Sequence, residues 1–478
     1  MEKAYKVRWV VMTALLMLLM LPMLPLTAAD EPDWEDSLFG ETANDSPSLV
    51  SDEELFGGSS GSDLFEDDVF ADSPALVSEV VETEKNLQTS LLGNEADKVR
   101  IGGSFNFELT PGWKWLVDSD TDAGTLVMDL GSKLFVDARP STDTRIFAKA
   151  VISYPFVENG TSRTFSDIVS IRELFSDFNI QDKAFFRVGK QTINWGVGYF
   201  FSPADLLNLS EINPLDPDEE LEGPVSMRMN MPIGLDNLYT YVIVPEDATD
   251  ATDLALAGKY EKVLGAAELG LGAYYRNGQS PAVMATLSTS IGKVAVFGEA
   301  MLKYGSDKTF VVADGGSGYT TTTYDDRLFF SGTIGGSYSW SDDESDFGYT
   351  LIGQYYYNGE GYDNTDFYTS VPSYLLSGDL TVSDIMSPGR HYGAVLVSAT
   401  FTDTLSANVM WYGNMSDFSG LVQPSLTWSP TDEVAVSLGL ACTYGKAGSE
   451  FTLAFPNFTS NNRYIAATLG FTLGASSF

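Results

Sequence analysis

The sequence predicts an all-β fold, a transmembrane antiparallel β-barrel of roughly 16–18 strands preceded by a disordered acidic segment and a short helix. Three observations support this fold class. Apolar and polar side chains alternate through most of residues 99–478, turn-forming residues interrupt the alternation repeatedly, and aromatic residues gather near the ends of the alternating runs. Strands with one apolar and one polar face fit a barrel that meets lipid outside and holds water inside.

The first 29 residues have the order of a cleavable signal peptide. Lys3, Lys6 and Arg8 precede an apolar run over residues 9–26, and small residues follow at positions 27–29. We therefore expect residues 1–29 to be removed on export. No later segment approaches about 18 continuous apolar residues, which excludes a bundle of membrane-spanning helices.

Residues 30–75 are rich in Asp, Glu, Ser and Gly and contain acidic repeats around Leu38-Phe39, Leu55-Phe56 and Leu64-Phe65. Burial of so few apolar residues cannot offset the entropy lost on ordering, so we expect a disordered tether. The Leu-Phe repeats are also a candidate docking motif for a periplasmic partner. In residues 76–98 apolar side chains recur at helical spacing, which indicates a short amphipathic helix and a linker.

The barrel, residues 99–478, alternates most clearly in a few runs. The apolar positions that should face lipid are Leu126, Met128, Leu130, Met227, Met229, Val436 and Leu438. The polar positions that should face the lumen are Asp129, Lys133, Asp137 and Arg139. The last run alternates through Leu469, Phe471 and Leu473, and the chain ends at Phe478. This ending resembles the C-terminal strand through which barrels engage the barrel assembly machinery.

Aromatic residues near the strand ends should form the interfacial girdles of a membrane barrel. The expected girdle residues are Tyr154, Tyr199, Tyr275, Tyr304, Trp340, Tyr357, Trp411 and Trp428.

Composition excludes several classes of function. A formal net charge of −39 argues against nucleic acid as a partner, because the phosphate backbone would be repelled. One cysteine, Cys442, and one histidine, His391, leave no basis for an internal disulfide or a zinc site. A single imidazole also makes a nucleophile with a positioned base improbable. We therefore expect no enzyme activity, no metal and no cofactor.

The most distinctive stretch covers residues 188–205 and reads VGKQTINWGVGYFFSPAD; it is followed by Asn213-Pro214-Leu215-Asp216-Pro217 and Glu222-Gly223. Its Gly-Lys-Gln, Trp-Gly, Pro-x-Asp and Asn-Pro pattern resembles porin-like outer-membrane β-barrel proteins of diderm bacteria, many of them uncharacterised. The resemblance covers about 35 residues. It implies an outer-membrane location and a loop that folds inward and narrows the pore.

The chemistry of this stretch also favours an inward loop. Its glycines allow close backbone approach, its prolines interrupt β-pairing, and its apolar side chains need cover. The residues expected to shape the loop are Gly189, Trp195, Gly196, Gly198, Pro203 and Pro214.

We predict a pore constriction in which acidic loop residues face basic residues on flanking strands. The acidic residues are Asp205, Asp216, Asp218, Glu219, Glu220 and Glu222, and the basic residues are Arg172, Arg187 and Arg228. Opposed charges across an aperture would filter solutes by charge and dipole. The alternative is that these residues are ordinary ion pairs that stiffen the lumen wall.

The sequence thus favours passive diffusion of small hydrophilic solutes, ions included, with outer-membrane lipid as the surrounding partner. One alternative is a surface-exposed structural or adhesive barrel with an occluded lumen, whose long loops at residues 305–326 and 358–390 would carry the function. The other is a carrier of apolar substrates, suggested by Phe200, Phe201, Leu206 and Leu207.

Overall fold

The computed structural model describes residues 98–117, 122–141, 143–155, 168–316, 318–342, 345–364, 366–454, 459–460 and 463–475. Four features predicted from the sequence lie outside these described residues. They are the signal peptide, the acidic tether with its Leu-Phe repeats, the short helix before the barrel, and Phe478.

The described chain contains 22 strands in order. They are β1 (Val99–Leu116), β2 (Asp122–Ser141), β3 (Thr144–Pro155), β4 (Val169–Ile180), β5 (Ala184–Lys190), β6 (Val225–Ile233), β7 (Asp236–Val244), β8 (Ala255–Leu264), β9 (Ala267–Arg276), β10 (Ala282–Ile291), β11 (Val294–Tyr304), β12 (Phe310–Ala313), β13 (Tyr319–Thr322), β14 (Leu328–Ser341), β15 (Gly348–Tyr357), β16 (His391–Thr402), β17 (Leu405–Asn414), β18 (Ser419–Thr431), β19 (Val434–Tyr444), β20 (Leu453–Ala454), β21 (Thr459–Ser460) and β22 (Tyr464–Ala475).

Of these described strands, 18 form one closed antiparallel sheet. Each strand pairs with the next in the chain, and β22 pairs with both β19 and β1, which closes the barrel. The hairpin β12–β13 and the pair β20–β21 form two small separate sheets. The all-β barrel class and the strand number predicted from the alternation are therefore confirmed.

Successive side chains of each strand point alternately to the outside and to the lumen, and the register aligns each row across neighbouring strands. Leu130 of β2, for example, lies opposite Phe107 of β1, so two apolar side chains share the outer face. The outer row stays uncovered by protein, since Leu126, Met227 and Leu438 are 47%, 42% and 53% exposed. A continuous apolar outer surface of this kind is covered by lipid in a membrane barrel.

Replacing Leu438 with Arg should lower the free energy of unfolding in lipid vesicles by about 2–4 kcal/mol, because a charge near the bilayer midplane is poorly solvated. Leu438 lies at the centre of β19 and points outward. The matched control is Ser437→Arg, because the neighbouring side chain points into the lumen. Urea titration of both variants measures the difference, and equal losses would contradict the assigned faces.

Aromatic side chains occupy strand ends on the outer surface, as shown by the exposure of Tyr275, Tyr304 and Trp428.

His391 begins β16 and its Nδ1 lies 2.6 Å from the hydroxyl oxygen of Tyr355. The prediction for Tyr199 is wrong. Tyr199 lies in the connection between β5 and β6, which is not part of the outer wall, and its hydroxyl donates to Asp218.

The two ends of the barrel differ in the length of their connections. Two-residue turns join strands at one end, as at residues 234–235, 265–266, 292–293 and 432–433. The other end carries the long connections 191–224, 305–327, 358–390 and 445–463. Because short turns face the periplasm and longer loops face outward in outer-membrane barrels, we call these the inner and outer ends.

The outer connections are themselves folded. They contain α1 (Val371–Ser377) and the short 3-10 helices Ala251–Asp253, Asp366–Thr369, Ser383–Ile385 and Glu450–Thr452. Val311 of the hairpin β12–β13 is buried together with Phe367, Val371, Leu380 and Ile385, so two long connections pack on each other. Among the described residues, no helix is both long and apolar enough to cross a bilayer.

Candidate functional site: a loop inside the barrel

The connection between β5 and β6, residues 191–224, reaches the opposite wall of the barrel; we call it the lumen loop. Its Phe200 and Phe201 pack against inward-facing side chains that include Tyr392 of β16. Counted along the closed sheet, β16 lies nine strands from β5 in either direction. A segment that starts at one wall and contacts the opposite wall must pass through the interior.

Glu299 of β11 holds the middle of the lumen loop. Its Oε1 accepts hydrogen bonds from the backbone N–H groups of Val197 at 2.5 Å and Gly198 at 2.6 Å. Its Oε2 accepts from the N–H of Ala204 at 2.9 Å, and the Ser202 hydroxyl donates to the same carboxylate at 3.0 Å. Hydrogen bonds to a carboxylate are stronger than neutral ones, so one side chain, itself only 6% exposed, fixes residues 197–204.

Gln354 of β15 binds the next part of the loop. Its Oε1 accepts from the N–H groups of Phe200 at 2.7 Å and Tyr199 at 3.1 Å. Its Nε2 donates to the carbonyl of Phe201 and to the Thr333 hydroxyl, both at 2.6 Å. The amide thus satisfies backbone donors and an acceptor that the loop would otherwise bury without partners.

A third wall residue, Lys259 of β8, donates to the carbonyl of Trp195 at 2.9 Å and pairs with Glu261 at 2.7 Å. Trp195 is only 1% exposed, and its ring meets Tyr241 of β7 edge to face with centroids 5.6 Å apart. The start of the loop is therefore fixed to the wall near β7 and β8.

The apolar side of the lumen loop is buried against the barrel wall in two clusters. Ile193, Trp195, Ala204 and Leu207 pack on β7, β8 and β10. Phe200 and Phe201 pack on β15, β16 and β17. Of the four residues that suggested an apolar carrier, Phe200, Phe201 and Leu207 are buried in these contacts and Leu206 is partly buried. These side chains anchor the loop.

Gly196 and Gly198, in the middle of the loop, have no room for a side chain. A Cβ on Gly198 would lie 1.9 Å from the carbonyl oxygen of Phe201 and 2.9 Å from Nε2 of Gln354. A Cβ on Gly196 would lie 1.7 Å from the hydroxyl oxygen of Ser202. Close packing of the loop against its own turn and against the wall therefore requires glycine here.

Replacing Gly198 with Ala should displace the tip of the lumen loop, because overpacking of this kind costs about 1–3 kcal/mol and the nearest contact is rigid backbone. We expect a changed conductance and greater current noise in single-channel recordings. The control is Gly353→Ala beside Gln354, where a new Cβ meets nothing within 4 Å. Recordings of Gly198→Ala that match the wild type would contradict the close contact.

The other predicted loop-shaping residues lie just before the loop, in its middle and in one of its turns. Gly189, the penultimate residue of β5, has φ of +138°, and a Cβ there would lie 2.1 Å from the carbonyl oxygen of Leu174. Pro203 is buried in the loop, and Pro214 lies inside the tight turn bridged by Asn213 and Asp216.

Two loop carboxylates are paired with the wall. Glu220 and Glu222 lie on the returning part of the loop and together contact four basic side chains. The pairs are Glu220 with Lys149 at 2.7 Å and Lys133 at 3.5 Å, and Glu222 with Lys190 at 2.5 Å and Arg172 at 3.5 Å. Charge at this side of the loop is therefore largely neutralised.

Three more of the predicted constriction carboxylates, Asp216, Asp218 and Glu219, lie exposed on the loop. Burial, followed by repulsion from Glu219 and Asp218, raises the pKa of Asp216, as expected of neighbouring carboxylates. Asp218 accepts from the Tyr199 hydroxyl at 3.1 Å. Among the described residues, none of the three forms an ion pair, so they give the loop edge a net negative charge.

Asp205 differs from the other predicted acidic residues of the constriction because its carboxylate is buried inside the loop. Both of its carboxylate oxygens accept from Nδ2 of Asn208 at 3.0 Å. Burial raises the pKa of Asp205 to about 7; the Asn208 hydrogen bonds oppose this shift, and the nearby charge of Glu299 adds to it. Asp205 therefore braces the loop from inside.

The predicted arginines occupy different environments. Arg172 reaches a loop carboxylate, whereas Arg187 forms a bidentate pair with Asp177 of β4 at 2.6 and 3.0 Å. Arg228 lies directly opposite Arg187 in the strand register and next to Tyr241. Arg187 and Arg228 thus form part of a charged row along the wall.

The predicted lumen-facing residues of β2 belong to the same wall. Lys133 reaches the lumen loop, as described above, and Asp129 is exposed. Asp137 pairs with Arg145 of β3 at 2.9 Å and with Arg139 at 3.4 Å. Charged side chains on β2 to β5 therefore bind one another as well as the loop.

Sequence reasoning missed the three residues that hold the loop, Glu299, Gln354 and Lys259. Each occupies an ordinary inward position in an alternating strand, and many polar residues do the same. A signal existed for Glu299, because it interrupts the otherwise apolar run VAVFGEAML at residues 294–302.

A closed antiparallel barrel with an apolar outer face, a polar and charged inner face and an interior loop defines the class of the protein. It is an outer-membrane-type β-barrel.

No protein-family model matches the chain, and no curated protein sequence matches it. Solved structures that resemble it include OccK11 (OpdR) of Pseudomonas aeruginosa, at 7% identity over 78% of this chain and 96% of that chain, with a TM-score of 0.43. OccAB4 of Acinetobacter baumannii is 10% identical over 80% and 99%, with a TM-score of 0.44. OpdK of Pseudomonas aeruginosa, solved with vanillate, is 10% identical over 79% and 99%, with a TM-score of 0.43.

Proposed function

We propose that the protein is a porin-like channel of the outer membrane through which small hydrophilic solutes diffuse passively. The observation that carries this proposal is the lumen loop, held inside a wide barrel by Glu299 and Gln354. Barrels of this strand number enclose an aqueous lumen. A loop fixed by backbone hydrogen bonds leaves an aperture of constant shape.

The wall of β19 and β22 supports an open lumen. Its inward positions are occupied by small side chains, with Ser437 opposite Gly470 and Gly439 opposite Thr468. Large apolar side chains such as Leu438 point outward in the same strands. Because small residues fill little of the interior, space remains on this side of the barrel.

Charge at the aperture favours cations in this proposal. Glu220 and Glu222 are neutralised by basic wall residues, whereas Asp216, Asp218 and Glu219 have no cationic partner among the described residues. Charges in a narrow aqueous aperture are screened less than charges on an open rim.

Single-channel recording of the refolded full chain in planar bilayers tests the proposal. The matched variant has residues 194–221 replaced by a short Gly-Ser linker. We expect a stable conductance from the wild type and a larger one from the variant. Conductance from the variant alone would indicate an occluded lumen, and none from either would favour a structural or adhesive barrel.

A further inference from the structure

The outer connection between β19 and β22 folds onto the lumen face of the wall; we call its residues 445–454 the outer flap. Glu450 of the flap accepts hydrogen bonds at Oε2 from the Tyr392 hydroxyl and from Nδ2 of Asn414, both at 2.7 Å. Tyr392 and Asn414 are opposite each other in the register of β16 and β17 and are almost fully buried. The Glu450 carboxylate therefore fastens the flap to the inside of the barrel at its outer end.

No basic side chain of the described residues forms an ion pair with Glu450. The titratable groups that face it are Tyr392 and Tyr412 of the wall, Tyr368 of the connection 358–390, and Asp417 of the turn between β17 and β18. Asp417 accepts from the backbone N–H of Glu450 at 2.7 Å. A buried carboxylate surrounded by phenols and a second carboxylate is costly in its ionised form.

Burial raises the pKa of Glu450 to about 7, although the hydrogen bonds from Tyr392 and Asn414 lower it, and the charge of Asp417 raises it further. In a released flap the same carboxyl would be in water, with a pKa of about 4.3. Proton uptake therefore differs between the docked and released flap.

The outer flap is also connected to the lumen loop through aromatic rings of the barrel wall. Phe451 meets Tyr412 edge to face with ring centroids 5.2 Å apart. Tyr412 in turn lies 5.8 Å from Phe201 of the lumen loop, and Tyr392 lies 6.0 Å from the same ring. Flap, wall and lumen loop thus share one aromatic cluster, and movement of the flap removes support from Phe201.

We propose that the outer flap is a pH-responsive lid, docked on the wall when Glu450 is protonated and released when Glu450 is ionised. Its effect on ion current rests on the proposed channel function, whereas docking itself does not. The sign follows from the two protonation equilibria. Docking is strongest below about pH 4.3, weakens by at most tenfold per pH unit up to about pH 7, and then stays constant.

Flap mobility can be measured without any channel activity. A nitroxide label on Lys446→Cys, in a Cys442→Ala background, reports the motion of the exposed start of the flap between pH 5 and 9. We expect the label to become more mobile as the pH rises from 5 to about 7 and to change no further up to pH 9. In Glu450→Gln, which keeps the shape but cannot ionise, the label should stay immobile throughout. Glu433→Gln, an exposed glutamate at the inner end, should behave like the wild type.

Tyr392→Phe provides a second test if the glutamine variant folds poorly. It removes a donor that stabilises the ionised carboxylate in the docked flap, so release at neutral and alkaline pH should be more complete than in the wild type. Heat-modifiable migration in gels shows that each barrel is folded. A label that is equally mobile at every pH, or that responds identically in Glu450→Gln and the wild type, overturns the lid.

Single-channel recordings over the same pH range separate the two proposals. Rising conductance with pH in the wild type, but not in Glu450→Gln, supports both. A label response with no current at any pH supports the lid and rejects the channel. Current without a label response rejects the lid alone.

Discussion

Replacing Glu299 with Gln should free the lumen loop and raise both the conductance and the current noise more than any other single substitution. The carboxylate accepts from three backbone N–H groups and from the Ser202 hydroxyl. A Gln side chain directs an NH₂ group at some of these donors and cannot accept from them. A hydrogen bond to a charged group contributes about 1.5–3 kcal/mol, so loss of two weakens the anchor by about 3–6 kcal/mol.

The matched control is Glu268→Gln on β9. Glu268 also faces the lumen from the neighbouring wall and is half-buried, but in the described part of the chain no hydrogen bond or ion pair links it to the loop. Single-channel recordings in one salt at one pH compare the two variants. If Glu299→Gln and Glu268→Gln gave the same current as the wild type, the hydrogen bonds of Glu299 would not be what positions the loop.

Neutralising the exposed edge of the lumen loop should reduce cation preference. The triple change Asp216→Asn, Asp218→Asn and Glu219→Gln removes three carboxylates that have no cationic partner among the described residues. Their field acts across the aperture over roughly the Debye length of about 10 Å at 0.1 M salt. We expect the reversal potential in a salt gradient to move toward zero, and the effect to shrink as salt rises.

Two controls are needed. The first separates the effect of charge at the aperture from the effect of total charge, and the second separates it from the effect of moving the loop. Asp403→Asn, Asp432→Asn and Glu433→Gln remove three exposed carboxylates from the inner turns and should leave selectivity nearly unchanged. Glu220→Gln with Glu222→Gln breaks the ion pairs with β2 to β5 and should increase current noise, because one side of the loop is released. Unchanged selectivity in the first triple variant would leave Asp216, Asp218 and Glu219 as ordinary surface charges.

The sequence by itself determined the barrel. Alternation with a period of two is a local property, because each strand must present one face to lipid and one to water wherever it lies in the sheet. The outward positions of Leu126, Met227 and Leu438 could therefore be predicted without knowing which strands pair. The strand count followed from the same local pattern.

The candidate site was predicted only in part. Glycines, prolines and apolar residues in residues 189–217 marked an unusual connection, since these residue types affect the local backbone. The sequence could not show that Glu220 and Glu222 would be neutralised while Asp216, Asp218 and Glu219 stay exposed. Pairing depends on which strand carries the nearest lysine or arginine, and that distance is set by the return path of the loop.

Only the tertiary structure decided what holds the loop and the outer flap. Glu299 and Gln354 lie 95 to 155 residues from the loop atoms that they bind, and Glu450 lies 58 residues from Tyr392. In the sequence they are single polar residues among many. Alternation with a period of two predicts which face of the sheet a side chain lies on, but it does not predict which residue that side chain contacts. Closure of the barrel brings opposite walls within reach of one loop, and their hydrogen bonds exist only after that closure.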